Sequence, residues 1–339
     1  MTEAHRISQG EGVTVAVPDT GVAPHPDIRL NLLPGTSFLP GSPTDGREDP
    51  NGHGTAMAGL IGAHGQGPIT GALGIAPKAK ILPIRTSSPN NEGDADRLAL
   101  AIEYAVAKGA DVVSVSGGGG VSPRLLRALQ TARSANVIVV AAAGNKPLDS
   151  AVIYPAAASN VVAVGGIDRS GGHAETAITG PQLDVVAPAV DIYSINAGEG
   201  YRLSTGTSNS TAIVAGAVAL IRAEYPHLSA DEIVNRLTAT AVDKGPPGRD
   251  DQYGYGVIDL VAALTADVPP RGFESVPATS PEGAGPTTAA ADGPRDDGDG
   301  AATVRGLITL GVLLAAGGAW ALFVRHRRRS DDPPPRITR

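Results

Sequence analysis

The sequence predicts an α/β domain, a parallel sheet with helices on both faces, followed by a C-terminal transmembrane helix. Apolar runs rich in β-branched residues, at 13–17, 80–85 and 111–116, alternate with helical patterns of about 10–15 residues, which is typical of a parallel sheet crossed by helices. The runs at 136–143, 161–164 and 183–186 extend this sheet. A long uncharged stretch near the C-terminus supplies the transmembrane prediction.

Polar or glycine residues follow several of these strands directly. Asp19 follows the first strand, Gly117–Gly119 follow another, and Asn145 comes just after a third. The carboxyl ends of parallel strands meet at one edge of a sheet, and binding sites of open α/β sheets lie there. We therefore expect these residues to converge on one site.

Ser208 lies in a small polar turn, 204–211, that leads into the apolar helical run 212–224. This places its hydroxyl at a helix N-terminus, where its backbone N–H is unpaired and the helix dipole favours negative charge. Two interpretations are open for this motif alone. Ser208 is either an ordinary helix cap or a nucleophile that generates an oxyanion.

Two further motifs bear on that choice. Asp19 opens an Asp-Thr-Gly turn after an apolar strand, and His53 lies between two glycines in Gly-His-Gly-Thr. The subtilisin triad has this chain order, Asp then His then Ser, with each residue in its own tight turn. On these three motifs, residues 12–264 resemble the subtilisin-like (S8) serine peptidases.

This resemblance implies peptide-bond hydrolysis and a role for each motif. Ser208 would be the nucleophile, His53 its general base, and Asp19 the residue that orients the imidazole. The backbone N–H of Ser208 and the side-chain amide of Asn145, in Ala-Gly-Asn, would form the oxyanion hole. The alternative for Asn145 is a simple turn residue after a strand.

The same resemblance implies a peptide-binding surface. Ser116 and Gly117–Gly119 match the strand edge along which family substrates lie, and a glycine-rich edge can pair with an extended peptide. Tyr154, in Tyr-Pro-Ala, matches another stretch that forms a pocket. A polyglycine segment can also be a mere flexible connector.

Cofactors and other partners are constrained by composition. The chain has no cysteine, which excludes disulfides and thiolate metal sites, and its net charge of −7 gives no reason to expect a nucleic-acid partner. We expect no cofactor. Structural calcium is a property of many family members, but no acidic cluster here has a diagnostic spacing, and the Asp pair at 250–251 reads as solvated charge.

The predicted domains are a peptidase domain at 1–266, a disordered Pro/Gly/Ala-rich linker at 267–303, a transmembrane helix at 304–325 and a cytoplasmic basic tail at 326–339. Leu307–Val324 has 18 residues without a charge, close to the roughly 20 that span a bilayer. The basic cluster after it predicts a cytoplasmic C-terminus and an extracytoplasmic peptidase domain in the cell membrane. The first twelve residues carry no apolar segment, so no secretory signal peptide is predicted.

This architecture is similar to that of the mycosins, membrane-anchored peptidases associated with type VII secretion. The similarity implies a type VII secretion complex as partner. The alternative function is a scaffold that stabilises a membrane secretion complex, with proteolysis secondary or silent. The intact Asp, His, Ser and Asn motifs favour the peptidase, because a scaffold does not need them.

Overall fold

The computed structural model describes residues 1–67, 70–88 and 93–270. Its strands are β1 (Thr14–Asp19), β2 (Thr36–Ser37), β3 (Lys80–Arg85), β4 (Val112–Val115), β5 (Ile138–Ala142), β6 (Val162–Ile167), β7 (Val185–Pro188), β8 (Ile192–Ile195) and β9 (Tyr201–Ser204). Its helices are α1 (Thr2–Ile7), α2 (His53–Gly62), α3 (Ala95–Ala107), α4 (Pro123–Ser134), α5 (Thr207–Glu224), α6 (Ala230–Ala239) and α7 (Leu260–Thr265).

Seven strands form one parallel sheet in the order β2-β3-β1-β4-β5-β6-β7. Strand β1, which lies between β3 and β4, contains Pro18, a residue that donates no ladder hydrogen bond. Pro18 pairs with Ile84 of β3, whereas β4 pairs with β1 only at Val15 and Ala16. Pro18 therefore has a strand neighbour on one side only, as the positional preference of proline in sheets requires.

Two hydrophobic cores lie on the opposite faces of this sheet. Val15 and Val17 of β1 belong to the core that includes α2, α5, α6 and α7, and Ala16 belongs to the core that includes α3 and α4. Successive side chains of a strand point to opposite faces, so this division separates the two helix layers. The predicted parallel α/β sheet with helices on both faces is confirmed.

Helix ends follow the local signals of the sequence. Ser229 and Glu232 form a reciprocal capping box at the start of α6, and Pro123 occupies the first turn of α4 behind its cap Ser122. Asp94 caps α3 by accepting a hydrogen bond from the Arg97 N–H. Each of these three helices thus begins at a side chain that accepts a hydrogen bond from a free backbone N–H of its first turn.

The antiparallel hairpin β8–β9 is absent from the predicted elements. Its strands have four residues each and mix polar with apolar side chains, so they give little periodic signal. The hairpin connects the end of the sheet to α5, and it therefore leads directly into the turn that precedes Ser208.

The predicted linker, span and tail lie almost entirely outside the described residues. Within residues 1–67, 70–88 and 93–270, none of the helices has both the length and the apolar character needed to cross a membrane.

Candidate active site

Asp19 and His53 form a hydrogen-bonded pair where β1 ends and α2 begins. The imidazole Nδ1 lies 2.7 Å from Asp19 Oδ1 and 2.9 Å from Oδ2. The Asp19 side chain is 5% exposed and that of His53 is 33% exposed. Asp19 Oδ1 also accepts the Thr20 N–H at 2.7 Å, so the carboxylate is held from a second direction. The pairing leaves the other ring nitrogen of His53, Nε2, available for chemistry.

The two glycines beside His53 make this approach sterically possible. Gly52 caps α2 with φ +81°, and a Cβ there would lie 2.4 Å from Asn196 Oδ1. A Cβ at Gly54 would lie 2.1 Å from the Gly21 carbonyl oxygen and 3.0 Å from Asp19 Cβ. Any larger residue at position 54 must push the start of α2 away from the end of β1. The Gly-His-Gly pattern thus has a packing cause.

Asp49 is a site residue that sequence reasoning missed. Its buried carboxylate accepts five hydrogen bonds, from the Thr20 hydroxyl, the N–H groups of Asn51 and Gly52, and both the N–H and hydroxyl of Thr55. It therefore anchors the first turn of α2 to the residue after Asp19. An Asp three residues before a helix-capping glycine is the signal that could have found it.

The electrostatic surroundings of His53 favour its protonated form. The negative charge of Asp19 raises the pKa of the imidazole above its ordinary value of 6.5, and burial opposes this shift. The hydrogen bond to Asp19 and the charge of Asp49 also raise the pKa, whereas the positive charge of Arg202 lowers it. An imidazole with a raised pKa accepts a proton readily, as a general base must.

Ser208 lies in the first turn of α5, beside the segment that follows β4. Its Oγ donates a hydrogen bond to the Ser116 carbonyl oxygen at 2.6 Å, and Ser116 Oγ donates to the Ser208 carbonyl oxygen at 3.3 Å. Within the described part of the chain, no hydrogen bond joins Ser208 to His53. The Ser208 hydroxyl is thus committed to the Ser116 carbonyl in this structure, and catalytic hydrogen bonds in general commonly tighten only when substrate is bound.

Asn145 is held beside the start of α5 with its amide nitrogen unused. Its Oδ1 accepts the Thr207 N–H at 2.9 Å, and its own backbone N–H donates to Asp149 Oδ2 at 2.8 Å. Because the side-chain oxygen is committed to Thr207, the Nδ2 group faces away from it, and Nδ2 has no hydrogen-bond partner among the described residues. The Ser208 N–H in the same turn also has no hydrogen-bond partner among the described residues. Two unpaired donors, Asn145 Nδ2 and the Ser208 N–H, are therefore available at the start of α5.

The glycine segment after β4 is only partly open. Gly119 donates its N–H to the Tyr154 carbonyl oxygen at 3.2 Å and also pairs with Gly93. A Cβ at Gly118 would lie 2.4 Å from Ile153 Cδ1, whereas one at Gly117 would meet nothing within 4 Å. The predicted peptide-binding edge is therefore open at Gly117 and occupied at Gly119, with Tyr154 contributing its backbone.

A cavity of about 320 Å³ lies between this segment and His53. Its polar wall includes Asp19 and His53, and Leu98 and Val115 give it apolar surface. Gly93 and the glycines at 117–119 also line the cavity. An open cavity with an imidazole at its rim and a backbone edge along one wall has the shape expected of a peptide-binding cleft.

The buried carboxylates of Asp27 and Asp49 are each stabilised by several hydrogen-bond donors. Asp27 accepts hydrogen bonds from the Gln66 side chain, the Ala72 N–H and the Tyr201 hydroxyl, and Asp49 accepts the five described above. Among the described residues, no group of three or more His, Asp or Glu side chains is arranged to hold a metal ion. The donor sets of Asp27 and Asp49 thus do not fit a cation.

Comparison with known proteins agrees with this geometry. The model of the subtilase family, Peptidase S8, matches residues 10–256. Subtilisin Savinase of Lederbergia lenta is 39% identical over 255 residues, which are 75% of this chain and 91% of that protein. Subtilisin DY of Bacillus licheniformis is 37% identical over 262 residues, covering 75% of this chain and 92% of that protein.

Solved structures point to a narrower group. MycP1 with its N-terminal propeptide removed superposes with a TM-score of 0.71 at 31% identity, covering 79% of this chain and 95% of that structure. MycP3 from the type VII (ESX-3) secretion system has a TM-score of 0.69 and 32% identity, and the match covers 78% of this chain and 86% of that structure. MycP1 from Mycobacterium smegmatis has a TM-score of 0.69 and 30% identity, and the match covers 79% of this chain and 83% of that structure. The chain belongs to the subtilase family, and it is a subtilisin-like serine endopeptidase related to the mycosins of type VII secretion.

Proposed function

We propose that the chain hydrolyses peptide bonds with a Ser208–His53–Asp19 triad and needs no cofactor for the reaction. Asp19 binds Nδ1 of His53, which fixes the tautomer in which Nε2 can accept a proton. The Ser208 hydroxyl turns from the Ser116 carbonyl to Nε2, loses its proton there and attacks the substrate carbonyl carbon. The protonated imidazole then gives that proton to the leaving amine.

The developing oxyanion would be stabilised by two donors at the start of α5. The amide nitrogen of Asn145 and the backbone N–H of Ser208 are the groups free for this purpose. The single observation that carries the proposal is the Asp19–His53 pair, because it fixes an imidazole in the orientation that a general base for a serine nucleophile requires.

Labelling with a fluorophosphonate probe tests the triad. The full chain in detergent is expected to be labelled, and Ser208→Ala and His53→Ala are expected to lose the label. His227→Ala, which removes an exposed histidine outside the site, is the matched control and keeps the label. A folded wild-type chain that is not labelled would contradict the peptidase proposal and leave the scaffold function.

We also propose that the chain is anchored in the cell membrane by residues 304–325, with the peptidase domain extracytoplasmic and the C-terminus cytoplasmic. The support is the uncharged run Leu307–Val324 followed by a basic cluster. The chain is expected to sediment with membranes and to resist extraction by carbonate. Leu314→Arg places a charge in the middle of the uncharged run and is expected to release the chain from the membrane fraction. An unchanged distribution of this variant between the membrane and soluble fractions would contradict the proposed span.

Association with a type VII secretion complex is the finer part of the proposal. It is supported by the structural similarity to MycP1 and MycP3, which are described as components of such systems. Affinity purification of the full chain from its own host's membranes in mild detergent is expected to bring down type VII membrane subunits. Ser208→Ala is expected to do so equally, because the contact does not use the nucleophile. Recovery of the chain without those subunits would contradict the association.

A further inference from the structure

Asp94 lines the cleft, the cavity of about 320 Å³ that His53 also lines. The residue before it, Gly93, pairs with Gly119 of the glycine segment. A Cβ at Gly93 would lie 2.2 Å from the Gly118 carbonyl oxygen, so the two segments are in direct contact. Asp94, the N-cap of α3, therefore lies beside the glycine segment on which a peptide is expected to pair.

The carboxylate of Asp94 is the accessible negative charge of this cleft. Its side chain is 47% exposed, whereas Asp19, the other acid in the lining, is buried and binds His53. Neither lysine nor arginine is among the described residues that line the cleft. The lining therefore offers a cationic group a carboxylate and no competing basic side chain.

The local contacts of Asp94 use one of its two carboxylate oxygens. Oδ1 accepts the Arg97 N–H at 2.7 Å, as the cap of α3, and lies 3.7 Å from Arg97 Nε. Oδ2 accepts no hydrogen bond within residues 1–67, 70–88 and 93–270. The N-terminus of a helix carries about half a positive charge, which is less than the full negative charge of the carboxylate. Asp94 can therefore bind a cation through Oδ2 while it continues to cap the helix.

Leu98 adds an apolar surface next to this charge. It lies four residues after Asp94, a spacing that places two residues on the same face of a helix, and both residues line the cleft. Lysine and arginine side chains lay their aliphatic stems on apolar surface while the charged head reaches a polar group. A carboxylate one helical turn from a leucine thus matches both parts of a long basic side chain.

The glycine segment sets the distance between Asp94 and the bond that is cut. The segment begins at Ser116, whose carbonyl oxygen accepts the Ser208 hydroxyl. Three residues later, Gly119 pairs with Gly93 beside Asp94. An extended peptide that follows this segment advances by about 3.3 Å per residue, so the substrate residue that meets Asp94 is about two to four residues from the scissile bond.

We propose that Asp94 and Leu98 select substrates with a lysine or arginine about two to four residues from the scissile bond. This inference rests on the proposed peptidase function, because it concerns the same cleft. It adds a substrate class to that function, peptides with a basic residue near the cleaved bond. The net charge of −7 acts in the same direction, since it attracts cationic substrates.

Binding to an inactive full chain tests this selectivity without requiring turnover. Two fluorescein-labelled alanine-rich peptides, which differ only in a central lysine or glutamine, are titrated against Ser208→Ala in detergent and followed by fluorescence anisotropy. The lysine peptide is expected to bind about twofold to fivefold more tightly, the range of a partly exposed ion pair. High salt is expected to reduce this preference.

Two matched variants in the Ser208→Ala chain locate the effect. Asp94→Asn removes the charge, and because asparagine is an equally good helix cap, α3 keeps its start. This variant is expected to bind the two peptides equally. Asp96→Asn is the control, because it removes the same charge from the first turn of the same helix at a residue that binds Ser122 and does not line the cleft. The control is expected to retain the preference.

Three results would overturn the inference. They are equal affinity of the two peptides for Ser208→Ala, including no measurable binding, a preference that survives Asp94→Asn, and a preference that Asp96→Asn removes to the same extent. Failure of the catalytic proposal is read separately, from absent fluorophosphonate labelling of the wild-type chain.

Discussion

Replacement of Asp49 by Asn is the sharpest test of how the site is built. Asp and Asn side chains have the same shape, so the substitution removes the negative charge and one hydrogen-bond acceptor without creating a cavity. All five hydrogen bonds to the carboxylate come from N–H or O–H donors. An Asn must turn its NH₂ group toward one set of these donors, whichever way its amide is placed.

The less costly placement of the amide turns NH₂ toward Thr55. The Thr55 hydroxyl can rotate, but its backbone N–H loses the bond of 2.8 Å and stays buried. One orphaned buried donor costs about 1–3 kcal/mol, and the remaining bonds lose their charge assistance. A negative charge near the N-terminus of α2 also disappears. The free energy of unfolding is therefore expected to fall by about 2–4 kcal/mol.

Urea unfolding of the full chain, followed by circular dichroism in the Ser208→Ala background to prevent self-digestion, measures this loss. The midpoint is expected to fall at an unchanged slope. Glu11→Gln is the matched control, because it removes a carboxylate that is 71% exposed and pairs with Lys78 at the surface. That pair is expected to contribute no more than about 1 kcal/mol. The reasoning would be refuted if Asp49→Asn lowered the free energy of unfolding by no more than the Glu11→Gln control does.

Three further changes address catalysis. Asn145→Ala removes a proposed oxyanion donor, and kcat is expected to fall by about 10²–10³ with little change in KM; a fall confined to KM would contradict the role. Because Asp19 raises the pKa of His53, and only the neutral imidazole is a base, kcat/KM of the wild type is expected to decline as pH falls through a value above 6.5. Asp19→Asn is expected to move that decline to lower pH and to reduce kcat by about 10⁴, and an unmoved pH profile would contradict the pairing. Gly54→Ala places a Cβ 2.1 Å from a carbonyl oxygen and shifts α2, so kcat/KM is expected to fall by about 10². Gly120→Ala is the control, because its Cβ meets nothing within 4 Å, and it is expected to leave kcat/KM unchanged. Equal effects of the two substitutions would refute the packing argument.

The sequence by itself predicted six of the seven strands of the sheet, the helical layers that cover it and the motifs of the candidate site. Apolar strands followed by Asp19, by glycines and by Asn145 are local patterns, and parallel strands bring their carboxyl ends together whatever the details of packing. The glycines beside His53 and the polar turn before α5 are equally local. Each of these patterns reflects a local backbone conformation or a close approach that only certain residue types allow. For that reason these features could be predicted from the chain alone.

The tertiary structure alone decided how those residues contact one another. Asp49 meets Thr20 across 29 positions of the chain, and Ser208 directs its hydroxyl to Ser116 across 92. No local pattern encodes such a contact, because its geometry depends on how β1, α2 and α5 pack against each other. The sequence thus identifies groups that need a particular backbone, whereas packing between distant elements decides which partners they meet.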